Sequence, residues 1–343
     1  MRTAWCLSHL LCLTFAGSIG PLLPTRKVHS GLESYKYIPS AWGRKEIPSC
    51  WSHQCPRSAN FTWDFYWDQI LKLGVRNLVL GGCKAYVTGV LKCWGWTPCK
   101  FAALKERVAS RGGKILIDLD FDGPKNLYNE TFIVNSIRNL TKYYPGDGIR
   151  VTYGPQYFDK RSLVKVLKIA VETANELNMI SAIRSEMGAK YLGPFDWNIL
   201  KQSGLLRIVK LMFVDVVAWP KRTPLFITDK FSEDLIANVS RAGLDTDKMI
   251  LQINPCTPQI NGDDTMGYAN MIVDAHCDPN GNGTCKFYEM YFNYFPQHLI
   301  KSKIPLAKKH GLHGLSMDRN YPEQTDLLPW DERSMFYTLF TNM

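Results

Sequence analysis

Three carboxylates spaced two residues apart are the first candidates for chemistry in this sequence. Asp118, Asp120 and Asp122 alternate with Leu119 and Phe121, and on a β-strand such residues point to the same face. A carboxylate cluster of this kind can bind a cation or act as a general acid and base. It can also form ion pairs with interior basic residues. We favour ion pairing, because an unpaired buried carboxylate is costly.

Further charged residues lie in or at the ends of other apolar segments and can join that cluster. The acidic ones are Glu186, Asp215 and Asp318, and the basic ones are Arg150, Arg184 and Lys210. No metal site and no cofactor is expected. The segment DLDFDG matches the opening of a calcium-binding EF-hand loop, but the twelfth position of that loop is Asn129 rather than Glu. The sequence also has no Cys-x-x-Cys pair and no Gly-rich phosphate loop.

Four aromatic residues stand where they can line a cleft for a sugar. Trp94 and Trp96 follow the second predicted strand, Tyr153 ends the fourth, and Trp219 follows the sixth. Aromatic rings stack on the apolar faces of sugars, and they also fill protein cores. Both interpretations are open for each of these residues.

Short apolar segments alternate with helical ones along the chain, which is the pattern of a parallel α/β fold. The predicted strands are Tyr35–Pro39, Asn77–Leu80, Ile115–Phe121, Gly148–Tyr153, Ser181–Ile183, Ile208–Val217, Met249–Ile253 and Gly314–Met317. The predicted helices are Trp63–Leu73, Phe101–Ser110, Glu130–Tyr143, Lys160–Leu177, Phe195–Ser203, Ser232–Ala242, Phe295–His310 and Glu332–Phe340. This order predicts a (β/α)8 TIM barrel. A doubly wound open sheet is the alternative, but no Gly-rich turn follows the first strand.

Two of the loops that follow the predicted strands are long and rich in cysteine. In a TIM barrel the loops after the strands carry the functional residues, and long ordered loops of this kind need staples. The cysteines are Cys83, Cys93 and Cys99 after strand two, and Cys256, Cys277 and Cys285 after strand seven. We therefore predict disulfide-stapled loops at these two places.

The beginning of the sequence has the pattern of a secretory signal peptide. Arg2 precedes an apolar run from Trp5 to Phe15, and small residues follow it. We predict a signal peptide over residues 1–20, a single (β/α)8 barrel domain over residues 21–343, and secretion to the extracellular space. No other segment is long and apolar enough for a membrane span.

The cysteine count and the glycosylation sequons agree with secretion. Of the ten cysteines, Cys6 and Cys12 lie in the predicted signal, and the other eight predict four disulfides. The short spacings Cys50–Cys55 and Cys277–Cys285 favour local pairs. Asn-x-Ser/Thr sequons, which predict a glycoprotein, occur at Asn60, Asn129, Asn139, Asn238 and Asn282.

The formal net charge of +10 comes from scattered basic residues rather than from one stripe. This distribution argues against nucleic acid as a partner. Weak attraction to anionic glycans or to cell surfaces fits the same charge better. The sequence assigns no oligomeric state.

The segment NETFIVNSIRNLTKYYPGDGIRVTYGP, residues 129–155, resembles the third helix and fourth strand of family 18 glycoside hydrolases, the chitinases and chitinase-like lectins. The fourth strand of that family carries the pattern D-G-x-D-x-D-x-E, and the matching run here extends from Asp147 to Gly154. The segments YKYIPSAWG, KILIDLDFDG, KLMFVD and GLHGLSMD are similar, in this order, to the first, third, sixth and eighth strands of the family. The resemblance covers most of the chain and implies the same barrel.

The resemblance breaks at the catalytic positions. In the family, the closing Glu protonates the glycosidic oxygen, and the preceding Asp residues hold that acid and the acetamido group of the substrate, which is the nucleophile. Here Arg150 and Thr152 replace the Asp residues, and Gly154 replaces the Glu. Because a positioned general acid contributes roughly 10²–10⁴-fold to the rate, the resemblance implies that the family's catalysis is absent.

Three functions are compatible with this pattern. The first is a secreted chitinase-like protein that binds a glycan or a protein without hydrolysing it. The residues predicted to contact that ligand are Tyr153, Asp215, Trp219, Trp94, Trp96, Asp118 and Asp120. The second is a glycoside hydrolase that uses other carboxylates, namely Asp118, Asp120, Glu186 and Asp215. The third is a structural or antigenic surface protein whose cleft is vestigial.

Overall fold

The structure is a computed structural model. It describes residues 31–38, 62–88, 90–122, 129–152, 160–185, 194–216, 224–262, 264–318 and 326–343. The predicted signal peptide lies outside the described residues, and so do Cys50, Cys55 and the sequon at Asn60.

Eight parallel strands close into a barrel, which confirms the predicted TIM barrel. The barrel strands are β1 (Glu33–Ile38), β2 (Asn77–Tyr86), β4 (Ile115–Asp122), β5 (Gly148–Thr152), β6 (Ile180–Ser185), β7 (Leu211–Val216), β8 (Met249–Ile253) and β13 (Gly314–Met317). They pair in this order, and β13 pairs with β1 to close the ring. The described parts of the connections contain shorter strands: β3 (Leu91–Cys93), β9 (Cys256–Pro258), β10 (Thr265–Gly267), β11 (Thr284–Phe287) and β12 (Met290–Asn293).

Helices connect the strands and pack on the outside of the barrel. They are α1 (Trp63–Lys72), α2 (Pro98–Ala109), α3 (Glu130–Tyr143), α4 (Lys160–Glu176), α5 (Pro194–Ser203), α6 (Leu205–Ile208), α7 (Asp229–Arg241), α8 (Gln297–Lys309) and α9 (Met335–Phe340). Several begin with a side-chain cap, for example Asn129, whose Oδ1 accepts from the N–H of Phe132 at 2.9 Å. Among the described residues, no helix combines the length and the apolar character that a membrane crossing requires.

The alternation of side chains along each strand divides the core in two. Outward residues of the strands pack against the helices in the large apolar core. Inward residues at the lower end of the barrel form a small apolar layer, made of Tyr35, Val79, Leu116, Ala182, Leu211, Phe213 and Ile250. Two residues further along the strands the inward positions become polar, as in β7, where Leu211 and Phe213 are followed by Asp215. The polar residues therefore lie toward the carboxyl ends of the strands.

Disulfides staple the loops after the second and seventh barrel strands, as predicted. Cys83 is bonded to Cys93, and Cys277 is bonded to Cys285. One detail differs from the prediction. Strand β2 does not end at Leu80 but continues to Tyr86, because β3 pairs with it antiparallel and β4 pairs with it on the other side.

The prediction that all the cysteines of the mature chain form disulfides is wrong for Cys256. Within the described part of the chain, Cys256 is a free cysteine and is buried. It lies in β9, directly after barrel strand β8. Burial raises the pKa of its thiol to about 12, so Cys256 is a small apolar core residue here. Cys99 is disulfide-bonded.

Candidate functional site

Six polar residues, each from a different strand or strand end, meet inside the barrel above the apolar layer. We call them the polar layer, and they are Asp118, Arg150, Arg184, Asp215, Gln252 and Asp318. All six are buried. The strand register explains their meeting: Asp118 pairs with Arg150 across β4 and β5, and Asp215 pairs with Gln252 across β7 and β8.

Arg150 is the centre of the first half of the polar layer. It is 0% exposed, and its Nε donates to Oδ1 of Asp118 at 2.7 Å. Its Nη1 donates to Oε1 of Gln252 at 3.0 Å and lies 3.6 Å from Oδ2 of Asp318. The Thr152 hydroxyl donates to the same Asp118 oxygen at 2.6 Å. Asp118 Oδ1 therefore receives two hydrogen bonds, one from Arg150 and one from Thr152.

Arg184 organises the second half. Its Nη2 donates to Oδ2 of Asp215 at 2.8 Å, and its Nε lies 3.2 Å from Oδ2 of Asp318. The amide of Gln252 donates to Oδ1 of Asp215. Gln252 thus accepts from Arg150 and donates to Asp215, and it connects the two halves. Asp318 lies within ion-pair distance of both arginines.

Aromatic rings enclose the Arg150 guanidinium. Its Cζ lies 4.8 Å from the centroid of the Tyr37 ring and 5.2 Å from that of Phe213, distances at which a cation is attracted to the ring face. Burial alone would lower the pKa of Arg150, but Asp118 and Asp318 outweigh this and raise it. Burial, then Asp118 and Asp318, raises the pKa of Tyr37 above its usual value. Arg150 is therefore a fixed cation and Tyr37 a neutral phenol.

The polar layer joins three carboxylates to two guanidiniums. The chemistry of an acid–base pair needs carboxylates that can reach a substrate and exchange a proton with it. Asp118 and Asp215 are instead held by arginines in a buried layer. The arrangement agrees with the ion pairing that we favoured from the sequence.

The residues at the start of β5, Asp147 and Gly148, make contacts with the neighbouring strands. Gly148 packs so closely that an added Cβ would lie 2.4 Å from the carbonyl oxygen of Ile180. Asp147 accepts from the N–H of Ile115 at 2.8 Å, which ties the start of β5 to β4. Asp147 and Gly148 thus have structural roles at the start of β5, whereas Arg150 and Thr152 face inward and donate to Asp118.

A hairpin rises beside the polar layer at the carboxyl end of the barrel. The end of β2 pairs with β3, and we call this unit, residues 82–88 and 90–94, the rim hairpin. Trp94 is 41% exposed. Lys84 lies 3.7 Å from Asp120, with about a third of each side chain exposed. Trp94, Asp120 and Lys84 are therefore accessible on the rim, in contrast to the buried polar layer.

The structure separates the two predicted tryptophans. Trp96 is buried, its Nε1 donates to the carbonyl of Gly81 at 3.2 Å, and its ring stacks on Phe101 at 5.8 Å. Trp96 therefore belongs to the core beneath α2 and does not line a cleft. Tyr153, Gly154, Glu186 and Trp219 lie outside the described residues.

Sequence reasoning missed three residues that matter for this site. Gln252 bridges the two arginine clusters, Tyr37 lies against Arg150, and Lys84 flanks Asp120. The signal for Gln252 was available, because in the strand MILQI a polar residue stands alone among apolar ones. No signal in the sequence predicted that β2 continues beyond Leu80, and it is this continuation that places Lys84 opposite Asp120.

Comparisons with known proteins show the fold. No protein-family profile matches the sequence, and no curated protein sequence matches it either. Solved structures do match.

A chitinase from Bacteroides thetaiotaomicron has a TM-score of 0.63 and 12% identity, over 91% of this chain and 96% of that chain. The GH18 chitinase ChiB of Flavobacterium johnsoniae has a TM-score of 0.57 and 10% identity, over 91% and 93%. Catalytic domain 2 of the Ostrinia furnacalis Group II chitinase, solved in complex with (NAG)5, has a TM-score of 0.57 and 13% identity, over 84% and 90%. At these identities the similarity establishes a chitinase-like fold.

Proposed function

We propose that this protein is a secreted glycan-binding protein on a chitinase-like barrel, and that it does not hydrolyse its ligand. The observation that carries the proposal is Arg150. It is fully buried where the resembled family places a catalytic carboxylate, and it holds Asp118 at 2.7 Å.

The second support is the state of the other interior carboxylates. Asp215 is held by Arg184 at 2.8 Å, and Asp318 lies 3.2 Å from the same arginine. A hydrolase built on these groups needs two carboxylates about 5–10 Å apart around an open space for the glycosidic bond. Among the described residues the interior carboxylates are instead components of an ion-pair network. This disfavours a hydrolase that relies on Asp118 and Asp215.

The third support is the contrast between the interior and the rim. The polar layer is closed by its own ion pairs, whereas Trp94 presents an exposed ring at the carboxyl end of the barrel. Loops at this end carry the binding function in TIM barrels. The similar Ostrinia chitinase domain was solved with a chitooligosaccharide, which makes a glycan the first ligand to test.

Secretion is part of the proposal and rests on chemistry as well as on the N-terminal pattern. Disulfides Cys83–Cys93 and Cys277–Cys285 persist in oxidising compartments and are rare in the cytosol. Expression of the full sequence in cultured eukaryotic cells tests this part. We expect the protein in the medium, with its N-terminus shortened. Retention of the full-length chain in the cytosol would contradict it.

A glycan array tests the binding function. We expect the purified mature protein to bind at least one oligosaccharide class, and the Trp94→Ala variant to bind it several-fold more weakly. The matched control is Trp96→Phe, which changes a core tryptophan of the same loop and should leave binding unchanged. Absence of binding to every glycan, with a folded protein, would favour the vestigial-cleft alternative.

A further inference from the structure

The mouth-facing side of the rim hairpin has an unusual composition. Cys83 pairs with Cys93, so the neighbouring residues Lys84 and Lys92 lie directly opposite each other across β2 and β3. Like charges placed opposite each other destabilise a strand pair. Both side chains are on the partly exposed face of the hairpin, and Lys84 also lies 3.7 Å from Asp120.

Each of these lysines lies beside an aromatic ring. Lys84 Nζ is 5.8 Å from the centroid of the Trp94 ring, and Lys92 Nζ is 5.8 Å from that of Tyr86. The two rings are 6.3 Å apart in an edge-to-face arrangement. Trp94, Lys84, Lys92 and Tyr86 therefore form one surface in which cations and rings alternate. We call it the rim patch.

The rim patch belongs to the mouth of the barrel and not to its outer wall. Lys84 is the register partner of Asp120 in β4, and Asp120 is the register partner of Thr152 in β5. These residues continue the inward-facing row of Asp118, whereas Cys83 and Ala85 face the outer core. The rim patch therefore lies on the inward side of the hairpin, toward the carboxyl end of the barrel.

The charge of the patch selects the class of ligand. The rim patch itself contains two cations, Lys84 and Lys92. Asp120 lies 3.7 Å from Lys84, and Asp122 is the register partner of Tyr86. The whole chain is also basic, at a formal net charge of +10. An aromatic ring binds the apolar face of a sugar, and lysines bind carboxylate or sulfate groups as point charges. A neutral oligosaccharide would use only half of this surface.

We infer that the rim patch binds an acidic oligosaccharide, with Trp94 stacked on a sugar ring and with Lys84 and Lys92 contacting the carboxylate or sulfate groups of that ligand. This inference rests on the proposed glycan-binding function and adds the class of glycan. The disulfide Cys83–Cys93 fixes the two strands, so the patch is presented without a large loss of conformational freedom on binding.

Calorimetry on the full mature chain with three defined oligosaccharides tests the inference. The probes are a sulfated heparin hexasaccharide, a hyaluronan hexasaccharide that carries carboxylates only, and neutral chitohexaose. We expect the wild type to prefer an acidic probe, and we expect this preference to shrink at high salt, since exposed charges are screened. If the variant without the two lysines loses binding to heparin only, the lysines recognise sulfate groups. If it loses binding to both acidic probes, a carboxylate group is sufficient for recognition.

The deciding variant is Lys84→Gln combined with Lys92→Gln. It should weaken binding of the acidic probe about tenfold, the sum expected for two partly exposed ion pairs, and leave chitohexaose unchanged. The same substitution removes a like-charge pair, so the fold should be kept. The matched control, Lys301→Gln with Lys308→Gln, removes the same charge from exposed positions of α8 and should have little effect.

Two results would overturn the inference. One is an equal loss of affinity in the α8 control, which would mean attraction to the net charge and not to the rim patch. The other is a wild type that binds chitohexaose at least as tightly as both acidic probes. This second result would leave the glycan-binding function intact. Absence of binding to all three probes, together with a negative glycan array, would count against the proposed function itself.

Discussion

The polar layer makes a strong prediction for the substitution Arg150→Met, which keeps the approximate volume of the side chain and removes its charge. Arg150 is 0% exposed and contacts Asp118 at 2.7 Å, Gln252 at 3.0 Å and Asp318 at 3.6 Å. Asp318 keeps Arg184 as a partner. Among the described residues, Asp118 keeps the hydroxyl of Thr152 and loses the cation that lies next to it, so its buried charge is no longer paired with Arg150.

Removing one partner of a buried ion pair costs about 3–5 kcal/mol. We therefore expect Arg150→Met to lower the free energy of unfolding by about this amount. In urea, with a slope of roughly 3 kcal/mol per molar or more for a chain of this size, the midpoint should fall by about 1 M. Circular dichroism and tryptophan fluorescence measured across the same titration give two independent readings of that midpoint.

Two further variants separate the network from a general effect of losing an arginine. Arg107→Met removes a surface cation that lies 3.0 Å from Asp64 and 3.8 Å from Asp68, and such pairs contribute at most about 1 kcal/mol. The double variant Arg150→Met with Asp118→Asn removes both charges and should recover a large part of the loss. A cost for Arg150→Met that is as small as that of Arg107→Met, or a double variant that is additive, would refute the ion-pair network.

Three other predictions address stability and the cysteines. Burial raises the pKa of Asp326 to about 6, so the folded protein holds the carboxyl proton of Asp326 more tightly than the unfolded chain does. The free energy of unfolding should therefore fall by up to about 3 kcal/mol from pH 4 to pH 6, and urea midpoints across this range should depend less on pH in Asp326→Asn. Peptide mapping after alkylation of the unfolded, unreduced protein should find Cys256 as a free thiol that does not react in the native state, because it is buried; Cys256 in a disulfide would contradict this. Gly148→Ala should lower the free energy of unfolding by about 1–3 kcal/mol in a urea titration, because the new Cβ would lie 2.4 Å from a backbone oxygen. Gly112→Ala has open space around it and should cost about 1 kcal/mol for its positive φ alone. Equal costs for the two variants would show that β5 moves to accommodate the new Cβ.

The sequence predicted the barrel well because each barrel strand is a short apolar segment between amphipathic helices. Met249–Ile253 and Gly314–Met317 agree with the structure at both ends. The sixth predicted strand began at Ile208, whereas residues Leu205–Ile208 form the short helix α6 and β7 begins at Leu211. Apolar residues there serve a helical turn and a strand in succession, and hydrophobicity alone does not separate the two.

The candidate site could be predicted in part. The alternation of Asp118 with apolar residues correctly indicated an inward carboxylate, and the preference for ion pairing identified Arg150 and Arg184 as partners. Lys210, which was named with them, instead donates to the carbonyl of Met179. The sequence did not reveal which arginine pairs with which aspartate, because this depends on the stagger of the strands around the barrel. It also did not distinguish Trp94 from Trp96. The two residues lie two positions apart on a turn, where the ring of Trp94 is exposed and the ring of Trp96 is buried in the core.

The proposed function requires the barrel to bind a glycan and to leave it intact. The most direct measurement incubates the mature protein with (NAG)5, follows binding by calorimetry, and analyses the products by mass spectrometry after a long incubation. We predict that (NAG)5 is recovered uncleaved from the wild type and also from Gly154→Glu, because Arg150 and Thr152 still occupy the supporting positions. Shorter oligosaccharides produced by the wild type, and lost in Asp118→Asn or Asp215→Asn, would contradict the account.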